Sequence, residues 1–474
     1  MTELSVESMS KEDFVLILGA GTWGCGIALE LARNGYRNVT VLDGEHVPSS
    51  IAAGNDLNKI MEEGSQSEDD TDSAFAWNRL HHLSTEAWLR DPVYKPFYHR
   101  TGYVGAASSD DAYEALLEEI KGHEEDYRRL SSAEEFRSTM PEGVLTGDFI
   151  GWRGFAKDSG AGWVFARGAI IAAKQEAERL GVRFITGPQG RVVELLFSDD
   201  KEVQLQAAVL QGVRTADGTT HHAHTTILAN GANADSLIDF KYQLRPTAWT
   251  LAHIKMTPEE AKLYKDLPVI FNIEKGFFIE PSADTHELKI CDEHPGYINP
   301  VYAEADSASE GKGTIVGSRP FARQQIPLES EERVRAFLQD TMPHLSDRPF
   351  SFARICWDTD TVDRMPLIDW YMPDGRVSSD QDESNQGGKK GRLLLAVGGS
   401  GHCFKTMPAM GQVVLEFLQG RIDDRTRRAF RWRPETAEKR DWWHVQDRWG
   451  AEGKVMDINE VKGWTRIGEH TVTV

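Results

Sequence analysis

Three glycines, Gly19, Gly21 and Gly24, sit between an apolar run and a helix-like stretch in FVLILGAGTWGCGIALELARNG, and their G-x-G-x-x-G spacing suits the holding of a pyrophosphate. Gly19 permits the tight turn and Gly21 lets an anion approach the backbone. Gly24 lets helix and strand pack closely, while the helix start turns free N–H groups toward the anion. Asp43 closes the next apolar run nineteen residues after Gly24, where a carboxylate can accept hydrogen bonds from ribose hydroxyls. Strand, turn, helix and acid fall in register, so the stretch reads as an adenine-dinucleotide site. Asp43 serves FAD and NAD equally well, and the choice lies elsewhere in the chain.

Other residues carry chemistry only in a suitable setting. The loop GGSGHCFK, residues 398–405, can place N–H groups around a flavin ring or its ribityl chain and aim Lys405 into the same crevice; alternatively it caps a helix and leaves Lys405 on the surface. Cys356, between Ile355 and Trp357, reads by itself as a buried, inert thiol. Lys289 alternates with Leu288 and Ile290 on a predicted strand and faces away from both. If that face belongs to a site, Lys289 is a cation for charge developing on oxygen; otherwise it is a solvated strand residue. Lys59, Glu293 and Arg448 carry no signal by type and spacing alone. No Ser/His/Asp triad, H-E-x-x-H motif or lysine-bearing P-loop is present, and Cys25, Cys291, Cys356 and Cys403 lack metal-ligand spacing, so no metal site is expected.

These residues need elements to position them. Phe14–Leu18, the helix after it and the strand ending at Asp43 form the first unit. The stretch VPSSIAAGNDLNKIMEE then predicts a turn of small residues leading into a short helix that carries Asn58 and Lys59, and residues 62–73 read as a solvated acidic loop. Residues 169–180 form an amphipathic helix before a strand at 182–185, followed by antiparallel strands at 190–197, 207–215 and Thr225–Leu228. The last of these either returns to the nucleotide sheet, with small residues at its carboxyl end, or closes a hairpin in a turn. From 244 to 351 short strands and two helices predict a mixed α+β unit presenting a sheet. FARICW and RMPLID lead back to the first unit, and 373–392 is a polar excursion before the strand that opens into the second glycine loop. The predicted organisation is a discontinuous nucleotide-binding domain of residues 10–100, 155–243 and 352–474, with a second domain of residues 101–154 and 244–351.

Composition narrows the function. A chain of 474 residues is too long for one small core. With 53 Lys+Arg against 74 Asp+Glu the net charge is −21, which argues against nucleic acid or an anionic membrane as partner. The first thirteen residues are polar, no run of about eighteen apolar residues occurs, and the final residues are not the S-K-L tripeptide, so an intracellular, cytoplasmic protein is expected.

GAGTWGCGIALELARNGY, VPSSIAAGNDLNKI, GVLTGDFIGW, LRPTAWTLAHI, KICDEHPGY, MPHLSDRPFSFARICWDTDT and GGSGHCFK together resemble the fungal fructosyl amino acid oxidases, the amadoriases, and more distantly monomeric sarcosine oxidase. The resemblance runs from Phe14 to at least Trp464 and includes loops. It implies an α/β plus α+β fold of the D-amino acid oxidase and sarcosine oxidase kind, a monomer, and FAD held covalently through Cys356. The substrates it implies are a fructosyl amino acid and O2. Lys59 and Lys289 are implied as catalytic, Lys59 beside the flavin ring and Lys289 activating oxygen. Glu293, Lys405 and Arg448 are implied to hold the substrate. Thr22, Trp23, Asn58, Val192, Gly401 and Phe404 join the glycines, Asp43, Lys59, Cys356 and Lys405 as cofactor-binding residues. Relatives acting on saccharopine, pipecolate or an N-methyl amino acid, and a flavin-binding protein without turnover, are the alternative readings.

Overall fold

The structure is a computed structural model that describes residues 9–64, 69–197, 209–303, 313–371, 392–446 and 453–467. Phe14–Leu18 is the middle of a six-stranded sheet, pairing in parallel with Asn38–Asp43 on one side and Thr225–Leu228 on the other. Arg183–Thr186 and Arg392–Val397 extend it in parallel, and Leu367–Trp370 closes one edge antiparallel. Covered on both faces, such strands must be apolar throughout, and Val15–Leu18 and Leu393–Val397 are buried at every residue. Thr225–Leu228 therefore returns to the nucleotide sheet. The antiparallel ribbon before it consists instead of Val192–Phe197, Leu210–Thr215 and Thr220–His222.

The helix Thr22–Arg33 crosses the helix Met407–Leu418 at two glycines: a Cβ on Gly26 would lie 2.6 Å from the Met407 carbonyl oxygen, and one on Gly411 2.6 Å from that of Gly26. The helices after the two glycine-rich turns are thus packed backbone to backbone. That brings the first and last thirds of the chain together.

A ten-stranded sheet forms the second layer, with Arg245–Lys255 between Phe350–Asp360 and Glu287–Asp292. Gly276–Ile279, Val269–Asn272, Tyr103–Ala107, Arg153–Lys157 and Arg128–Leu130 continue it outward. One face, through Ile254, Ile290 and Phe278, packs on Val334 and Phe337 of the helix Leu328–Thr341. Alternation turns Trp249, Lys289, Cys291, Phe277 and Cys356 to the other face, toward the nucleotide unit.

Two expectations are corrected here. Cys356 and its neighbours, assigned to the first domain from residue 352, belong to the ten-stranded sheet: Phe350–Asp360 pairs with Arg245–Lys255 along its whole length. Lys59 opens a strand, Lys59–Glu62, and not a helix, because residues 59–62 pair antiparallel with Ala161–Val164. The excursion 373–392 lies almost wholly outside the described residues. None of the helices among the described residues is long and apolar enough to cross a membrane.

Candidate active site

A cavity of about 620 Å³ opens at the carboxyl ends of the parallel strands, where ligands of such sheets bind. Each strand delivers wall from its last residue onward: Gly19 and Gly21 after the first, Asp43 after the second, Asn230 and Gly231 after Thr225–Leu228, Gly398 and Gly399 after the last. Thr22, Trp23, Lys59, Val192, Gly401 and Phe404 also line it. The glycines divide the work as their spacing demands. A Cβ on Gly24 would fall 1.8 Å from the Gly19 carbonyl oxygen, whereas one on Gly21 would meet no described atom within 4 Å and would project into open space. Gly24 therefore serves packing and does not line the cavity.

The residues present fit a dinucleotide. None of the described side chains caps the helix Thr22–Arg33, whose start faces the cavity, so its first N–H groups are left for an anion. Asn230 Oδ1 is buried and finds no hydrogen-bond partner among the described residues. The Asp43 carboxylate accepts from the N–H groups of Ala20 at 2.7 Å and Glu45 at 2.9 Å, which fixes its orientation at the wall. Burial nonetheless pushes its pKa up, against those two N–H groups.

Residues 50–58 form a strap between the two sheets. Arg354, two residues before Cys356, donates to the carbonyls of Ser50 at 3.0 Å and Ala52 at 3.2 Å, and also to that of Asn55. Trp357 N–H donates to the Ile51 carbonyl at 2.9 Å. Cys356 packs with Leu251, Cys291 and Ala53, and only Ala53 of these lines the cavity. The next two residues, Trp357 and Asp358, are themselves cavity wall, and Asp358 Oδ2 accepts from Gly401 N–H at 2.5 Å. The thiol thus sits just behind the wall, and the second glycine loop is anchored by the same strand.

At the end of the strap, Asp56 Oδ2 accepts from Lys289 Nζ at 2.7 Å and from Lys59 Nζ at 2.9 Å. Lys289 also donates to the Asn58 carbonyl at 2.9 Å and lies 5.2 Å from the centre of the Phe277 ring. Burial pushes the Asp56 carboxyl up, but Lys289, Lys59 and Arg354 outweigh it and hold the group well below the usual carboxylate range. For Lys59 burial favours the neutral amine; Asp56 outweighs it and raises the pKa. Lys59 reaches the cavity and Lys289 lies behind it, which is the reverse of the prominence their sequence contexts suggest. Asp56 and Arg354 were not singled out from sequence; the one available signal was the three-residue spacing of Asp56 and Lys59.

The remaining residues form a third group. Lys405 turns away from the cavity that Phe404 lines, its Nζ 3.6 Å from Glu62 Oε2, while its carbonyl accepts from Trp88 Nε1 at 2.7 Å. Behind it His81 is held down to about 3, by burial first and then by the Lys405 charge. The Tyr103 hydroxyl is raised by burial first and then by the charges of Glu62, Glu119 and Glu293, which places Glu293 within electrostatic range of the same region. Asp292 and His294, flanking Glu293, are buried; Asp292 accepts from Ser330 Oγ and Arg333 Nε, both at 2.7 Å, so the backbone under Glu293 is anchored. Arg448 lies outside the described residues.

Known proteins agree with this geometry. The family model described as FAD dependent oxidoreductase matches residues 15–417. Amadoriase I of Aspergillus fumigatus, a fructosyl amine:oxygen oxidoreductase, is 48% identical, with 97% of this chain and 99% of that one covered and a TM-score of 0.87. Amadoriase II of the same organism, a deglycating fructosamine oxidase, is 44% identical, with 98% and 99% covered and a TM-score of 0.87. L-saccharopine oxidase of Schizosaccharomyces pombe is 26% identical over 431 residues, 89% of this chain and 93% of that one. With a family match over residues 15–417 and a likeness to the amadoriases that spans both sheets, the chain belongs to the FAD dependent oxidoreductases and, within them, to the family of the amadoriases.

Proposed function

We propose that the protein is an FAD-dependent oxidase of fructosyl amino acids, oxidising the C–N bond of the secondary amine and releasing amino acid, glucosone and hydrogen peroxide. The observation that carries the substrate class is the 48% identity to Amadoriase I over 97% of the chain, against 26% to L-saccharopine oxidase. FAD, when bound, would supply a hydride acceptor for the carbon beside the substrate nitrogen and the means of reducing oxygen.

The chain's own residues bind, orient and supply charge. Gly21, the start of the helix Thr22–Arg33 and Asp43 hold the pyrophosphate and a ribose. Cys356 attaches the flavin through a thioether; its place behind Ala53 and beside Trp357 supports this. Neither Lys59 nor Lys289 can serve as a base, since each ammonium donates to Asp56. With neither lysine as a base, the substrate amine can bind deprotonated, and the protein's work is positioning and electrostatics. Lys289, 1% exposed in its side chain, supplies positive charge where oxygen acquires electrons. Glu293 and Lys405 engage the substrate's amine and sugar hydroxyls, and Arg448 its α-carboxylate, to which a guanidinium can make two parallel hydrogen bonds.

A peroxide assay across fructosyl-lysine, fructosyl-valine, saccharopine, pipecolate and sarcosine tests the reading. Turnover of the two fructosyl compounds at least about tenfold above the other three in kcat/KM is the expected result. Preference for saccharopine, or no peroxide from any of them, overturns it.

A further inference from the structure

One carboxylate oxygen serves two lysines that come from different sheets. Lys59 belongs to the strand Lys59–Glu62 and lines the cofactor cavity with a side chain 25% exposed; Lys289 belongs to the ten-stranded sheet and is 1% exposed. Both Nζ atoms bind Asp56 Oδ2, at 2.9 and 2.7 Å, so they lie within about 6 Å of each other. Like charges at that range disfavour each other strongly unless a counter-charge stands between them. Asp56, itself 1% exposed, is that counter-charge, and its burial keeps it beyond the reach of salt. Its other oxygen accepts from Leu57 N–H at 2.8 Å, which leaves the carboxylate little freedom to turn.

The groups that face this cluster from neighbouring elements supply no substitute for it. Arg354 adds a further cation, with its guanidinium committed to the carbonyls of Ser50, Ala52 and Asn55. Arg167, on the helix Ala166–Arg179, donates its Nε to Asn55 Oδ1 at 2.8 Å. Cys356 and Cys291 are within electrostatic range of Lys59, and burial pushes the Cys291 thiol up to about 12, so it carries no charge near neutrality.

We propose that Asp56 is a positioning residue that holds Lys59 as a permanent ammonium at the cavity wall, with Lys289 as the buried cation that keeps the carboxylate in place. The role rests on the reading of the cavity as an FAD site. There Lys59 would present fixed positive charge to an electron-rich ring, and Asp56 acts on the ring through Lys59 alone.

The test is an NMR titration of the lysine Cε resonances of the FAD-loaded protein between about pH 6 and about pH 10, with Lys59 assigned from Lys59→Met. In the wild type Lys59 should show no titration in that range. Asp56→Asn should lower its midpoint by at least about two pH units, because Lys289 and Arg354 then face it unopposed, and Asp56→Asn combined with Lys289→Met should move it part of the way back. A Lys59 midpoint that is unchanged in Asp56→Asn, or a double variant no different from the single one, overturns the proposal. Should Asp56→Asn fail to fold, Asp56→Glu decides: Lys59 should stay charged while its displaced ammonium slows anaerobic flavin reduction about tenfold, and an unchanged reduction rate overturns the positioning role. The titration is independent of substrate. Lack of peroxide from fructosyl amino acids would therefore overturn the function proposed above without altering the result for Asp56.

Discussion

Gly24 lies directly under the carbonyl of Gly19, so close that a methyl group on Gly24 would sit 1.8 Å from that oxygen. Gly21, between them in sequence, faces open cavity with an extended backbone at φ −82° that any residue adopts. Gly24→Ala must push the helix Thr22–Arg33 off the sheet, at a cost of about 3 kcal/mol or more. Gly21→Ala should cost under about 1 kcal/mol in the cofactor-free protein, yet weaken FAD binding at least about tenfold by blocking the anion's approach to the backbone. Unfolding of the cofactor-free variants and FAD titration, both in a Cys356→Ser background where the flavin binds reversibly, separate the two; equal effects of both substitutions on unfolding would contradict this division of work.

Cys356 is buried beside Ala53, one residue before the cavity wall at Trp357. If it carries a thioether, the purified protein should be yellow and should keep its flavin in an acid precipitate, since unfolding does not break that bond. Cys356→Ser should release the flavin to the supernatant, whereas Cys25→Ser, Cys291→Ser and Cys403→Ser should not. Complete release from the wild type would remove the assignment.

Lys289 has its charge committed to Asp56 and Asn58 and lies behind Lys59 from the cavity. Lys289→Met should therefore slow reoxidation of the reduced enzyme by about 100-fold while anaerobic reduction by substrate falls much less. Stopped-flow measurement of the two half-reactions checks this, and equal slowing of both would argue for a purely structural lysine.

Glu280 is buried, with its carboxyl accepting from Trp163 Nε1 at 2.9 Å and Leu267 N–H at 3.2 Å. Burial pushes its pKa up from 4.5 to about 7, so the folded state binds this proton more tightly than the unfolded chain does. Its contribution to stability is present below pH 4.5 and is lost as the pH rises toward and through 7. At about 1.4 kcal/mol per unit the loss between about pH 5 and about pH 8 is about 2.5 kcal/mol. The unfolding free energy of Glu280→Gln minus that of the wild type should rise by this amount over the interval. A difference independent of pH would show that Glu280 ionises freely in the folded state.

What the sequence determined by itself is local. The G-x-G-x-x-G turn, the acid at the end of the second strand and the bounds of Phe14–Leu18 follow from spacing, because the physics that sets them acts within a few residues. The alternation that turns Lys289 away from Leu288 and Ile290 is of the same kind. The resemblance carried the family and pointed to Cys356, but said nothing of the surroundings of that thiol. Only the tertiary structure decided that Cys356 stands on the ten-stranded sheet, since strand pairing between residues 245–255 and 350–360 leaves no trace in either segment alone. It likewise made Lys59–Glu62 a strand, through a partner one hundred residues away at Ala161–Val164. Asp56 and Lys289 are separated by 233 positions, and no periodicity links them. Their pairing exists because two sheets meet at residues 50–58, where a buried carboxylate is tolerated only with cations around it.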